Sequence, residues 1–286
     1  MSRNRDRVGG TKNPDTSAPA ALQQDDAGGF SFVVPTEFVD LPSRGRFYPE
    51  GHPLKGQDTI EIKQMTAKEE DMLTSKSLLK KGVALERVIS SVIVNKRINP
   101  ANLLVGDRNA IIIASRVSAY GNLYDTSVQC PACGETQKYC FDLNDTPVSD
   151  STIEESDIIA TDNGDGTFTT ELPRTGLLVT FALLTGQAEK RLLDGIESDR
   201  KTRNQHERGV TRQLANLIVA VNGNSTAEAI NYTVNNIPST DSRHLRIAYK
   251  QASPDVDMTR HFECDSCGHE ERMEVPLTAD FFWPDR

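Results

Sequence analysis

With 286 residues, 37% of them hydrophobic and 26% charged, the chain can bury one large core or two modest ones, so its size alone demands neither disulfides nor metal. A formal net charge of −9 argues against a protein whose main partner is a nucleic-acid backbone, since such proteins carry a surplus of Lys and Arg. No apolar run approaches the ~20 residues that cross a bilayer, and the basic start MSRNRDRVGG lacks the apolar core of a secretory signal, so the chain is expected to stay where it is made.

Residues 1–29 are rich in Gly, Ser, Ala, Gln and Asp without periodicity and read as a disordered leader. Residues 30–59 form a Pro/Gly-rich arm; its segment FVDLPSRGRFYPEGHPL (38–54) is a chain of turns with Phe47 and Tyr48 as anchors. Two readings stay open for it, packing on its own domain or reaching a neighbouring molecule. IEIKQMTAKEEDMLTS (60–75) predicts a strand running into a helix with a Thr66–Glu69 capping box. LERVISSVIVN (85–95) predicts an apolar-faced helix ending at Asn95, and LVGDRNAIIIASRVSAYG (104–121) a helix capped by Asp107. TSVQCPACGETQKYCFDL (126–143) alternates with period two around CPACG, the pattern of a hairpin tipped by a metal-binding knuckle.

An acidic linker (144–164) follows, ending at DNGDG. That motif fails the calcium-loop pattern, because Gly164 stands where a ligand is needed and no Glu closes the loop, so a tight turn is expected. The charged segment ESDRKTRNQHERG (197–209) reads as exposed, either a long helix or a loop, and residues 278–286 as a C-terminal tail. The basic patches 76–81 and 200–212 lack interleaved aromatics and read as solvated helix faces.

Four of the five cysteines form two CxxC pairs, Cys130 with Cys133 and Cys264 with Cys267, a pattern that favours metal over disulfide in a chain without an export signal. The second pair lies 134 residues after the first, far beyond the spacing of an ordinary zinc ribbon. The same offset aligns residues 126–143 with RHFECDSCGHEERMEVPL (260–277) without a gap, pairing Val128 with Phe262, Tyr139 with Met273, Phe141 with Val275 and Leu143 with Leu277 as inward positions. It also aligns residues 104–121 with 238–255, pairing Asp107 with Asp241 as caps.

Upstream the register changes, but residues 60–75 match VTFALLTGQAEKRLLD (179–194), where Thr185 and Ala188 keep half of the capping box, and 85–95 match RQLANLIVAVN (212–222). The expected fold is therefore α+β, an internal duplication of a strand, helices and zinc-knuckle-hairpin unit, with copies at 45–143 and 165–277 joined at a shared four-cysteine zinc site. Four cysteines leave no open position for water, which makes the expected zinc structural and not catalytic. Cys140 has no counterpart (Glu274 stands there) and reads as an ordinary strand residue, while His261 and His269 flank the second knuckle as alternative ligands of lower rank.

No catalytic constellation stands out. HEERM (269–273) has Met273 where a zincin needs its second His, and the chain contains no GxSxG, Walker A or GxGxxG motif. No catalytic residue, cofactor-binding residue or small-molecule substrate is expected.

The LPSRGRFYP segment, followed by IEIKQMTAKEEDMLTS, LLVGDRNAIIIASRVSAYG and CPACG, resembles the baseplate hub protein family of contractile-tailed bacteriophages of the T-even type, mainly over residues 38–143. The resemblance implies a non-enzymatic structural or assembly component of the tail baseplate, a virion location after assembly in the host cytoplasm, and partners among other hub or tail-tube proteins. The rival from the residues alone is a zinc-ribbon nucleic-acid-binding or regulatory protein, which the acidic balance disfavours.

Overall fold

The computed structural model describes residues 22–24, 30–32, 34–80, 82–145, 148–149, 160–201, 208–275 and 279–282. In a first unit, residues 1–36, strands β1 (Leu22–Gln24) and β2 (Phe30–Phe32) pair antiparallel. β1 falls inside the expected leader, whose other residues lie outside the described ones.

The second unit begins at Glu37 and holds the body of the protein. There β3 (Thr36–Asp40) pairs with β4 (Thr59–Lys63), followed by α1 (Ala67–Thr74), α2 (Lys76–Lys80), α3 (Ala84–Val92), α4 (Val105–Tyr120) and the hairpin β5 (Leu123–Gln129) and β6 (Thr136–Asp142). After β7 (Val148–Ser149) come β8 (Thr161–Asp162), β9 (Thr167–Glu171), β10 (Leu178–Ala182), α5 (Gly186–Lys201), α6 (Gly209–Leu217), β11 (Ile218–Val221), α7 (Ala227–Asn236) and α8 (Ser239–Ala252). β12 (Asp255–Val256) pairs with β7, and the hairpin β13 (Thr259–Glu263) and β14 (Glu270–Glu274) precedes a closing turn, Ala279–Phe282. The class is α+β, with small antiparallel sheets of which the largest runs β11-β10-β9-β8.

Two pairs of segments aligned in the sequence share local features. Period-two burial puts Ile60 and Ile62 of β4 and Val179 and Phe181 of β10 into the core. α3 buries Ile89 and Val92 and releases the chain at Ile93, which bridges Ile62; α6 buries Leu214 and Leu217 and releases it at Ile218, which pairs with Phe181. The match is therefore Ile93 with Ile218, two residues away from the register expected from the terminal asparagines. The expected helix over 212–222 stops at Leu217, because β10 offers Ile218–Val221 a sheet edge.

Capping went partly as expected. The Glu69 carboxylate reaches back to the Thr66 backbone N–H at 2.9 Å, and Thr185 Oγ1 accepts from Ala188 N at 3.4 Å. Asp107 and Asp241 are not caps. Each is the third residue of its helix, fully buried, and each accepts hydrogen bonds from a distant Leu-Pro-x-x-Gly loop.

For Asp107 the loop is LPSRG (41–45), with Ser43 N donating at 3.0 Å and Ser43 Oγ at 2.6 Å. For Asp241 it is LPRTG (172–176), with Arg174 N at 2.9 Å, Thr175 N at 3.0 Å and Thr175 Oγ1 at 2.7 Å. Both loops turn at a glycine with positive φ, Gly45 at 67° and Gly176 at 66°. At Gly45 a Cβ would sit 2.2 Å from the Leu54 carbonyl oxygen, so only glycine closes that turn.

Residues 38–54 of the arm belong to the second unit, and the anchors Phe47 and Tyr48 are turned into it. Phe47 is buried and packs on Phe168 at 5.4 Å, while the Tyr48 hydroxyl donates to Asp107 Oδ2 at 2.7 Å and accepts from Leu104 N at 3.1 Å. A tyrosine whose polar tip finds a buried acceptor is more stable inside than presented to solvent. The halves also meet where Val105 N donates to Leu184 O and Gly186 N to Leu103 O, beside an Arg108–Glu189 ion pair at 2.6 Å.

DNGDG closes the β8–β9 hairpin as a tight turn, with Asn163 N donating to Thr167 O at 3.0 Å. Of the linker, residues 146–147 and 150–159 lie outside the described residues. Of the charged segment, Glu197–Lys201 complete α5, where Asp199 accepts two 2.6 Å bonds from Arg212 of α6, and residues 202–207 lie outside the described ones.

Candidate metal centre

The turn of each knuckle is closed by the same backbone hydrogen bonds. Gly134 N donates to Cys130 O at 2.9 Å and Cys130 N to Glu135 O at 2.8 Å; Gly268 N donates to Cys264 O at 2.8 Å and Cys264 N to His269 O at 2.9 Å. Gly134 and Gly268 take the positive φ that turns the chain back, at 74° and 65°. Strand register matches too, Gln129 opposite Thr136 and Glu263 opposite Glu270. The expected inward residues Val128, Phe262, Phe141, Val275 and Leu143 are buried, Tyr139 and Met273 are partly so, and Leu277 lies outside the described residues.

The hairpins converge tip to tip. Sγ atoms of Cys130, Cys133, Cys264 and Cys267 all lie within 4.8 Å of one another, with Cys130 to Cys267 at 3.8 Å and Cys133 to Cys264 at 3.7 Å. A disulfide requires about 2.05 Å. Four sulfurs around a tetrahedral zinc, each about 2.3 Å from the metal, stand about 3.8 Å apart. The donor set therefore fits a closed tetrahedral thiolate site. Cys130 and Cys264 are buried and Cys133 and Cys267 exposed, so each pair contributes one inner and one outer sulfur.

The thiols do not act as four independent groups. The Cys133 backbone N–H, foremost, holds Cys130 down to about 6. At Cys267 the His269 backbone N–H acts in the lowering sense, but desolvation and the three neighbouring sulfurs push it up to about 12. Crowded sulfurs that cannot all ionise together are what a divalent cation resolves.

Side chains lock the hairpins in one relative pose. Gln137 Nε2 donates to Glu263 O at 2.9 Å, Asp265 N donates to Gln137 Oε1 at 3.0 Å, and Tyr139 OH donates to His261 O at 2.7 Å while its ring sits 5.5 Å from Phe262. Nothing in the sequence singled out Gln137, because an amide gains meaning only when the opposing strand supplies backbone partners.

Cys140 is exposed on β6, and the Asp125 carboxylate beside it, foremost, pushes its thiol up; it is no fifth ligand of the group. His269 approaches Glu271 at 3.3 Å and His261 approaches Glu270 at 4.0 Å. His261, Glu263 and Glu270 form a second close group on the outer face of β13–β14, exposed to solvent.

Comparison with known families decides the wider identity. The family model described as T4 bacteriophage base plate protein matches residues 36–283.

The chain belongs to this baseplate family.

No curated protein and no solved structure matches the chain. The baseplate match takes in the LPSRG arm, both Leu-Pro loops and both cysteine pairs, so it extends well past the first half on which the sequence resemblance rests. Among the described residues of this baseplate protein no helix is long and apolar enough to cross a membrane.

Proposed function

We propose that this baseplate protein is a non-enzymatic structural or assembly component of the tail hub, made of two copies of one unit whose knuckle hairpins share a single structural zinc ion. The observation that carries the reading is the cluster of four cysteine sulfurs, supplied by two hairpins of matching register inside a baseplate-family chain. The duplicated unit is further supported by the paired Leu-Pro-x-x-Gly loops, each held by the buried aspartate at the same place in its helix.

When bound, zinc supplies a cross-link between hairpins; Cys130, Cys133, Cys264 and Cys267 would hold it, closing the site to water and so to catalysis. Gln137 and Tyr139 set the pose in which the cysteines meet. A component of this kind offers neighbours fixed surfaces at a fixed angle, and its partners would be other hub or tail-tube proteins in a particle assembled in the host cytoplasm.

Quantitative mass spectrometry of purified tails and of assembly intermediates tests this. The expected result is the chain at a fixed ratio to the tail tube in one or both. Its absence from both would sink the proposal, and presence in the intermediates alone would assign the role to assembly.

A further inference from the structure

Helices α4 and α8 hold matching places 134 residues apart, yet they are dressed differently. One face of α4, carrying Asn109, Ile112, Ile113 and Arg116, is covered. Asn109 Nδ2 donates to Asp255 Oδ1 at 3.1 Å, Arg116 Nε donates to Phe281 O at 2.7 Å, and a Cβ at Gly106 would sit 2.0 Å from the Pro254 carbonyl oxygen. The cover is extended chain, Pro254–Val256, and one short turn, Ala279–Phe282.

On α8 the same positions are Arg243, Arg246, Ile247 and Lys250, and all four are exposed, Ile247 by 40%. They form one stripe at helical spacing. Among the described residues none of the three cations has a carboxylate within ion-pair distance; Arg246 Nε finds only the Ser242 carbonyl of its own helix, at 3.4 Å.

We infer that the outer face of α8 is a docking surface for an acidic, extended segment of another tail protein, seated where Pro254–Val256 and Phe281 sit on α4. The inference rests on the duplicated-unit reading and on the baseplate setting. Charge complementarity selects the occupant: three cations without a carboxylate partner among the described residues flank an apolar centre on a protein whose net charge is −9. A second copy docking by the same face would set stripe against stripe, and its cations would repel. Nucleic acid is disfavoured because a chain of net charge −9 repels its phosphates, and the stripe holds no aromatic residue on which single-stranded bases could stack.

A photo-crosslinking amino acid placed at position 247 of the full chain, irradiated in infected-cell extract during tail assembly, tests the surface. The expected product joins this chain to a different tail protein, within a segment where Asp and Glu outnumber Lys and Arg. It should fall at least tenfold in the Arg243→Glu, Arg246→Glu, Lys250→Glu variant and persist in the Arg243→Lys, Arg246→Lys, Lys250→Arg variant. Circular dichroism and retained zinc check that both variants fold, and Arg246→Glu alone serves if the triple change does not. No crosslink, a crosslink to a second copy or to nucleic acid, or a yield indifferent to charge reversal would each overturn the inference. Absence of the chain from finished tails would count only against a permanent-subunit role, because the crosslink is read during assembly.

Discussion

Glu69 of α1 is fully buried, and burial opposes its charge. Hydrogen bonds from Ser91, Thr66 and Lys63 outweigh that and hold its carboxyl down to about 2 from an ordinary 4.5. A folded-state value below the unfolded one means the unfolded chain binds the extra proton, so stability from this group is present above 4.5 and drains away as pH falls toward about 2. Glu69→Gln should lower stability at neutral pH by about 1–3 kcal/mol and flatten the acid limb of a denaturation series. An unchanged slope between those values would mean the carboxylate is not the group that titrates. The Thr66–Glu69 box was legible because it is local; the Ser91 bond was not, since nothing in a linear string places residues 22 apart on one carboxylate.

Among elements, the instructive case is the pair of Leu-Pro loops. LPSRG and LPRTG stand in plain sight, but their offset is 131 residues and not 134, so an alignment fixed on the cysteines passes over them. The aspartates that hold them look like helix caps from sequence, since an Asp near a helix start ordinarily caps; here the loops compete for the same oxygens and win. A similar competition turned Ile218–Val221 from expected helix into strand, a short apolar run being ambiguous until a sheet edge is available.

The arm depends on this latch. Burial foremost raises the Asp107 carboxyl above its usual range, and it also keeps the Tyr48 hydroxyl protonated far above its own. Asp107→Ala leaves the Ser43 and Tyr48 donors buried without an acceptor, and should cost about 3 kcal/mol. Hydrogen exchange should accelerate across residues 41–54 before the rest of the body opens; protection there equal to the parent would show that the loop holds without its aspartate.

For the whole molecule, the convergence of the four cysteines was legible because ligand type and CxxC spacing carry the chemistry themselves. The inward placement of Phe47 and Tyr48 was not legible, because turns rich in Pro and Gly read the same whether they lie on their own body or on a neighbour's. A structural zinc site can contribute on the order of 10 kcal/mol of apparent folding free energy, so metal loss should disorder the junction of the hairpins first. The most direct test is native mass spectrometry of the full chain purified without added metal, beside its Cys130→Ser and Cys264→Ser variants. The account predicts one zinc per parent chain and none retained by either variant, because each hairpin supplies only half of the ligands. Less than half an equivalent of zinc in the parent, or undiminished zinc in either variant, would contradict it.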